Sequence, residues 1–184
     1  MKMSKRPLVT LYGSHHPQPG TEEYEQSHAL GKMLAHEGFQ VGTGGYGGTM
    51  EAALKGAGGG IGFTAEIFKA PPNNYVIGTI ASQTLFERIE KMIDMSAALI
   101  CLKGGTGTLL ELAATWEMVN KKMVPLKPIV CIGDFWKNVV NTLNFEKTVE
   151  GVNNLQKQML STTSYIHFVD TPEEATRYLR EKLL

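Results

Sequence analysis

Residues 101–111 read Cys-Leu-Lys-Gly-Gly-Thr-Gly-Thr-Leu-Leu-Glu, an apolar strand that runs into a glycine-rich loop and then into a helix. Glycines let backbone N–H groups approach an anion closely, and the N-terminus of the following helix favours negative charge. Gly104, Gly105, Thr106, Gly107 and Thr108 are therefore candidates to cradle a phosphate. A β-branched residue at Gly105 is expected to fill the space where the phosphate approaches and to resist a positive φ. The loop lacks the Gly-Lys-Ser/Thr ending of a nucleoside-triphosphatase loop, so ATP hydrolysis is not indicated. Glu111 is the unexpected member, because a carboxylate repels a phosphate. Either it faces another part of the ligand, such as a sugar, or it closes a capping box with Thr108 at the helix start.

A second glycine-rich turn, Gly42-Thr43-Gly44-Gly45-Tyr46-Gly47, formally satisfies the dinucleotide fingerprint, with Glu66 about 20 residues further on. That fingerprint normally follows the first strand of its unit, whereas here a complete strand and helix precede it. The turn is read as a nucleotide contact, or as glycines that permit tight strand-to-helix packing. Ser14, at the Gly13-Ser14 turn, is a candidate hydroxyl donor. His15 and His16 should border the site, and Tyr46 is placed either to stack on a base or to pack locally.

The segment Gly104-Gly105-Thr106-Gly107-Thr108-Leu109-Leu110-Glu111 resembles the Gly-Gly-x-Gly-Thr-x-x-Glu signature of the Lonely guy family, often mislabelled lysine decarboxylases. The resemblance extends to Gly13-Ser14, to the run from Thr43 to Ala52 that holds Gly44, Gly45 and Gly48, and to Glu87-Arg88 with Met92. It implies hydrolysis of a nucleoside 5′-monophosphate to free base and ribose 5-phosphate, with Glu111 and Arg88 as catalytic residues and the glycines, Ser14, Met92, Thr106 and Thr108 as substrate contacts. Glu111 would bind ribose hydroxyls or orient water, and Arg88 would balance the phosphate or the departing base. No metal or redox cofactor is required. A homodimer formed through the helices at Thr84 to Met95 and Leu109 to Lys121 is also implied. Two positions depart from the family pattern: Ile89 replaces the lysine of an Arg-Lys pair, and Lys103 replaces a proline. Both favour the alternative, a non-catalytic binding or carrier protein for a nucleotide or a pterin-type molybdenum cofactor. The decarboxylase label finds no support, since partners for pyridoxal phosphate are missing.

The elements that must position these residues alternate along the chain. Strands are expected at Leu8 to Tyr12, Phe39 to Thr43, Gly60 to Thr64, Tyr75 to Ile80, Ala97 to Leu102, Pro128 to Ile132 and Tyr165 to Val169. Helical periodicity covers Glu22 to Glu37, Thr49 to Ala57, Thr84 to Met95, Leu109 to Lys121, Trp136 to Val149 and Pro172 to Leu183. Near-continuous apolar strands separated by helices predict an α/β fold: one doubly wound Rossmann-like domain over residues 1–184, with a mostly parallel sheet of about seven strands and helices on both faces. Ligands in such sheets bind beyond the strand carboxyl ends, where the strand order reverses. The apolar stripe Leu85, Ile89 and Met92 is expected to leave Arg88 off the core side of its helix. Residues 150–163 are the least legible, as a helix, a lid or a loop.

Lys and Arg together number 18, as do Asp and Glu, and the signs are interspersed, which excludes a basic field for a nucleic-acid polymer or an anionic membrane. A small-molecule ligand is expected instead. No apolar run has the length of a signal peptide or a membrane span, which predicts a cytoplasmic protein. Cys101 and Cys131 sit in apolar runs without metal-site spacing and are expected to be reduced core thiols.

Overall fold

The computed structural model describes residues 6–143 and 165–184. In chain order the elements are β1 (Leu8–Tyr12), α1 (Glu22–His36), β2 (Gln40–Thr43), α2 (Thr49–Gly56), β3 (Gly60–Ala65), a 3-10 turn (Glu66–Phe68), β4 (Val76–Ser82), α3 (Leu85–Met95), β5 (Ala98–Cys101), α4 (Thr106–Asn120), β6 (Ile129–Ile132), α5 (Phe135–Leu143), β7 (Ile166–Val169) and α6 (Pro172–Leu183). The seven strands form one sheet in the order β4-β3-β2-β1-β5-β6-β7, and every pairing is parallel. The chain winds from β1 out to β4, then returns to place β5 on the other side of β1. The order therefore reverses between β1 and β5, and the crevice above their carboxyl ends is where such a sheet accepts a ligand.

Alternation along each strand feeds two cores, one per face. Val9 and Leu11 of β1 and Ile100 of β5 pack with Leu30, Leu34, Leu54 and Leu179 from α1, α2 and α6. Tyr12, Leu99 and Cys101 face the other way, onto Met92, Ile93, Leu112 and Trp136 from α3, α4 and α5. The central strands β1, β5 and β6 are covered on both sides, which explains their near-continuous apolar runs, whereas the edge strand β4 is largely exposed. Cys101 and Cys131 are free, buried and opposite one another in the β5–β6 register.

Helix starts follow the side chains available to them. Thr21, Thr84 and Thr171 cap α1, α3 and α6 by accepting an amide hydrogen bond, and each of those helices carries glutamate in its first turn. The start of α4 differs from the sequence expectation. It begins at Thr106 rather than Leu109, with Gly105 as an N-cap that supplies no side chain and with no acidic residue in its first turn. The Thr108–Glu111 capping box is not formed, because both residues already lie inside the helix. The strap between β3 and β4 also contains a short 3-10 turn that periodicity did not reveal. The expectation for residues 150–163, and the end of the helix expected at Trp136 to Val149, fall outside the described residues.

Candidate functional site

Above the β1–β5 crevice lies a cleft of about 560 Å³ bounded by Gly13, Ser14, His15 and His16 after β1, Tyr46, Gly47 and Met50 after β2, Phe68 and Ala70 on the strap after β3, Arg88 of α3, and Gly105, Thr106, Gly107, Thr108 and Glu111 at the start of α4. This size suits a small-molecule ligand. The fold thus brings together Gly13, Ser14, Arg88, Glu111 and the segment Gly105–Thr108 around one space. Gly44, Gly45, Gly48, Gly104 and Met92 do not line it.

Those five residues act one layer behind. A Cβ on Gly44 would stand 2.1 Å from Arg88 Nη2, so the glycine is what lets the arginine pass. Gly45 and Gly48 have φ of +79° and +69°, and Gly48 additionally lies against the backbone of Ser14 and His15. A Cβ on Gly104 would collide with the Thr108 side chain. Met92 is fully buried in the core beneath α3. The Ser14 carbonyl accepts from both the amide and the hydroxyl of Thr49, which occupies the start of α2 with protein groups. Among the described residues, the start of α4 has no such occupant. No side chain caps it, and its exposed first residues Thr106 and Gly107 face the cleft. The first amides of a helix have no intrahelical acceptor, so they are available to an anion.

The cradle glycines differ from the sequence expectation in one respect. Gly105 has φ of −94°, and neither Gly104 nor Gly107 has positive φ. Neither backbone conformation nor a protein contact demands glycine at Gly105 or Gly107, since a Cβ at either would meet nothing within 4 Å and would project into the open.

Arg88 is buried at 5% exposure, a correction to the expectation that it lies off the core side. Helical spacing does set it beside the Ile89–Met92 stripe, but what buries it is the neighbouring loops. Its Nε donates to the Phe63 carbonyl at 2.7 Å, and its guanidinium lies 5.8 Å from the Tyr46 ring centroid and 5.6 Å from that of Phe68. Those rings meet edge to face at 5.6 Å. Tyr46 is fixed in turn by its hydroxyl, which accepts from the Ala65 amide, and by Asn73, whose side chain donates to the Tyr46 carbonyl. Arg88 is thus held at its stem, and it lines the cleft with two terminal nitrogens beyond that anchor.

One of those nitrogens, Nη1, reaches Glu111 Oε1 at 3.5 Å, a long contact for an ion pair. Burial pushes the Glu111 carboxyl up to about 7, only partly opposed by Arg88. Glu111 is therefore protonated in both folded and unfolded chains at low pH. As pH rises from 4.5 towards 7, the unfolded chain releases this proton while the folded chain keeps it, so stability falls through that window. Glu111→Gln should remove this loss, and its unfolding free energy should gain on the wild type by on the order of 3 kcal/mol between pH 4.5 and pH 7.5. Denaturant melts across that range check it; a constant difference would show that Glu111 ionises normally.

Three further residues named from sequence have defined places. Lys103 pairs with Glu23 on α1 at 3.2 Å, away from the cradle, so its charge is not aimed at the cleft. His15 and His16 line the cleft with ring centroids 4.0 Å apart. Phe68, Ala70 and Met50 are cleft residues that sequence reasoning missed. Met50 lies inside the Thr43–Ala52 run without having been singled out there, and no local motif marks Phe68 or Ala70, because the strap reaches the site through the fold, anchored by the Asn73 amide on the Gly45 carbonyl. Among the described residues no helix is long and apolar enough to cross a membrane, and no cluster of His, Cys, Asp and Glu is arranged to hold a metal ion.

The fold is shared with solved structures of low sequence identity. The molybdenum cofactor binding protein from the phototrophic bacterium Rippkaea orientalis superposes with a TM-score of 0.73 at 21% identity, over 98% of this chain and 99% of that one. The molybdenum cofactor carrier protein of Chlamydomonas reinhardtii gives 0.69 at 19% identity, over 98% and 99% of the two chains. An uncharacterised protein of Archaeoglobus fulgidus is 33% identical over 114 residues, which are 60% of this chain and 75% of that protein. The SLOG cluster4 family model matches residues 6–175, and the chain belongs to that family.

Proposed function

We propose that this chain binds a phosphate-bearing small molecule, a nucleotide or a pterin-type molybdenum cofactor, and holds it without turnover. One observation carries the reading: the uncapped start of α4 opens into the same cleft that the buried Arg88 lines. Gly105 and Gly107 leave room for phosphate oxygens to reach the α4 amides, and Arg88 supplies the balancing charge. The rings of Tyr46 and Phe68 and the thioether of Met50 offer an apolar wall to a planar ring system. A pterin with its phosphate suits a cleft of about 560 Å³ built this way. In that case Gly105–Thr108 and Arg88 would take the phosphate, while the metal would arrive as cargo. The names of the solved neighbours support the carrier side of the proposal. So do Ile89 and Lys103, the two departures from the hydrolase pattern.

Glu111 favours a second reading, cleavage of the N-glycosidic bond of a nucleoside 5′-monophosphate. Its carboxyl stands in the cleft beside Arg88, where an ionised form would offset positive charge developing on a sugar. In either reading we place the chain in the cytoplasm, which suits its free thiols, as a homodimer through α3 and α4, whose outer surfaces expose Phe86 at 71% and Leu109 at 37%.

Calorimetric titration with AMP, adenosine and NAD tests the site. AMP is expected to bind at least about tenfold more tightly than adenosine, because the α4 amides gain nothing from a neutral ligand. Equal affinities would remove the phosphate assignment, and a preference for NAD would redirect attention to Gly42–Gly47. Incubation with a panel of nucleoside monophosphates then separates the readings. Binding without base release supports the carrier, and base release supports the hydrolase.

A further inference from the structure

Glu111 has an unusual position for a carboxyl in an anion site. It is nine-tenths buried, it lines the cleft, and among the described residues its only side-chain donor is Arg88 Nη1 at 3.5 Å. A buried carboxylate with one long contact is poorly satisfied. Its single partner is also the only buried cation lining the cleft among the described residues. Arg88 cannot swing away to serve an anion elsewhere, because Nε is tied to Phe63 and the guanidinium is packed beside Tyr46, Phe68 and Gly44. An anion must come to it, and there it meets Glu111.

We propose that Glu111 and a bound anion compete for Arg88, so that the cleft takes up an anionic ligand together with a proton on the Glu111 carboxyl and releases the two together. This rests on the reading of the cleft as an anion site. With Glu111 neutral, the net charge of the pair is positive and the carboxyl becomes a hydrogen-bond donor to the ligand. With Glu111 ionised, the pair is neutral and the carboxylate repels the phosphate. The proton comes from solvent, and no bond between heavy atoms changes.

The groups around Glu111 isolate it as the titrating member. From β1, Tyr12 donates to Thr115, whose own hydroxyl hydrogen goes to the Glu111 carbonyl; burial holds the Tyr12 hydroxyl well above its ordinary value. From β5, burial does the same to the Cys101 thiol. Both stay neutral near pH 7. From α3 comes Arg88, charged throughout. His15 and His16, on the loop after β1, also line this cleft. Ionisation of Glu111 centred about 7 puts the exchange within the physiological range.

The test is calorimetry with AMP in buffers of differing ionisation enthalpy at pH 7.5, where the free phosphate, with a second pKa of about 6, is already a dianion. Proton uptake of roughly 0.7 per AMP is expected, since about a quarter of Glu111 is already protonated in the free protein at that pH, with affinity falling roughly tenfold from pH 6.5 to pH 8.5. Glu111→Gln should abolish both the uptake and the pH dependence, whereas the pair of substitutions His15→Gln and His16→Gln should leave both in place. Wild-type binding that is independent of buffer and pH would overturn the inference while leaving the anion site standing. So would uptake that persists in Glu111→Gln or vanishes with the histidines. Failure of AMP to bind at any pH would instead overturn the anion-site reading itself.

Discussion

Arg88→Ala is expected to eliminate AMP binding and to destabilise the chain by about 3 kcal/mol at pH 8, near the lower end of what breaking a buried ion pair costs. The binding loss follows from position, because no other buried cation lines the cleft among the described residues. The stability loss follows from what the side chain does when no ligand is present. It satisfies the Phe63 carbonyl, fills the space Gly44 leaves for it, packs beside two rings and opposes Glu111. Its loss removes the only cation that, among the described residues, opposes the upward push on the Glu111 carboxyl, so that carboxyl titrates later still. The destabilisation should accordingly be smaller at pH 6, where Glu111 is largely neutral in either protein, and grow as pH rises. Arg88→Lys should recover little, since a single ammonium cannot serve Phe63 and also present nitrogens to the cleft. AMP titration combined with urea melts at both pH values checks each part. Wild-type binding by Arg88→Ala would remove this residue from the site, and a stability loss independent of pH would break its link to Glu111.

That result would correct the sequence expectation for Arg88, and the reason for the error is physical. Helical periodicity reports which face of α3 meets the sheet, and it does so correctly for Ile89 and Met92, both fully buried. It says nothing about loops that arrive from elsewhere. Arg88 is buried by Tyr46 and Phe68, which belong to other crossovers, and a lone arginine beside an apolar stripe is the only trace this leaves in the sequence. The parallel sheet was far more legible, because burial on both faces writes itself into the central strands β1, β5 and β6 as near-continuous apolar runs. Capping shows the same division. The Thr-x-x-Glu pattern reports real caps at Thr84–Glu87 and Thr171–Glu174, where the threonine accepts the glutamate amide. At Thr108–Glu111 the same letters lie inside the helix, because α4 starts one turn earlier on the bare backbone of Gly105. A start without a capping side chain is one that sequence patterns of capping cannot register, and it is also the feature that leaves amides free for a ligand.

Gly105→Val turns that feature into a test with little structural confusion. The backbone at Gly105 is extended, with φ of −94° and ψ of −156°, so its φ lies outside the left-handed region that would demand glycine. A Cβ there meets nothing within 4 Å, so the branched side chain enters the cleft rather than the protein. Valine is a poorer N-cap than glycine, which costs about 1 kcal/mol at most. Against that small change, AMP binding should be lost, because the methyl groups stand where phosphate oxygens would approach the first amides of α4. Gly104→Val provides the contrast. Its Cβ would stand 2.2 Å from Thr108 Oγ1, so it should destabilise the chain and distort the helix start, and any binding loss there would carry no information about a ligand. Thermal melts rank the two variants by stability, and calorimetry with AMP ranks them by affinity. A Gly105→Val protein that melts like the wild type and still binds AMP with wild-type affinity would place the phosphate somewhere other than the start of α4.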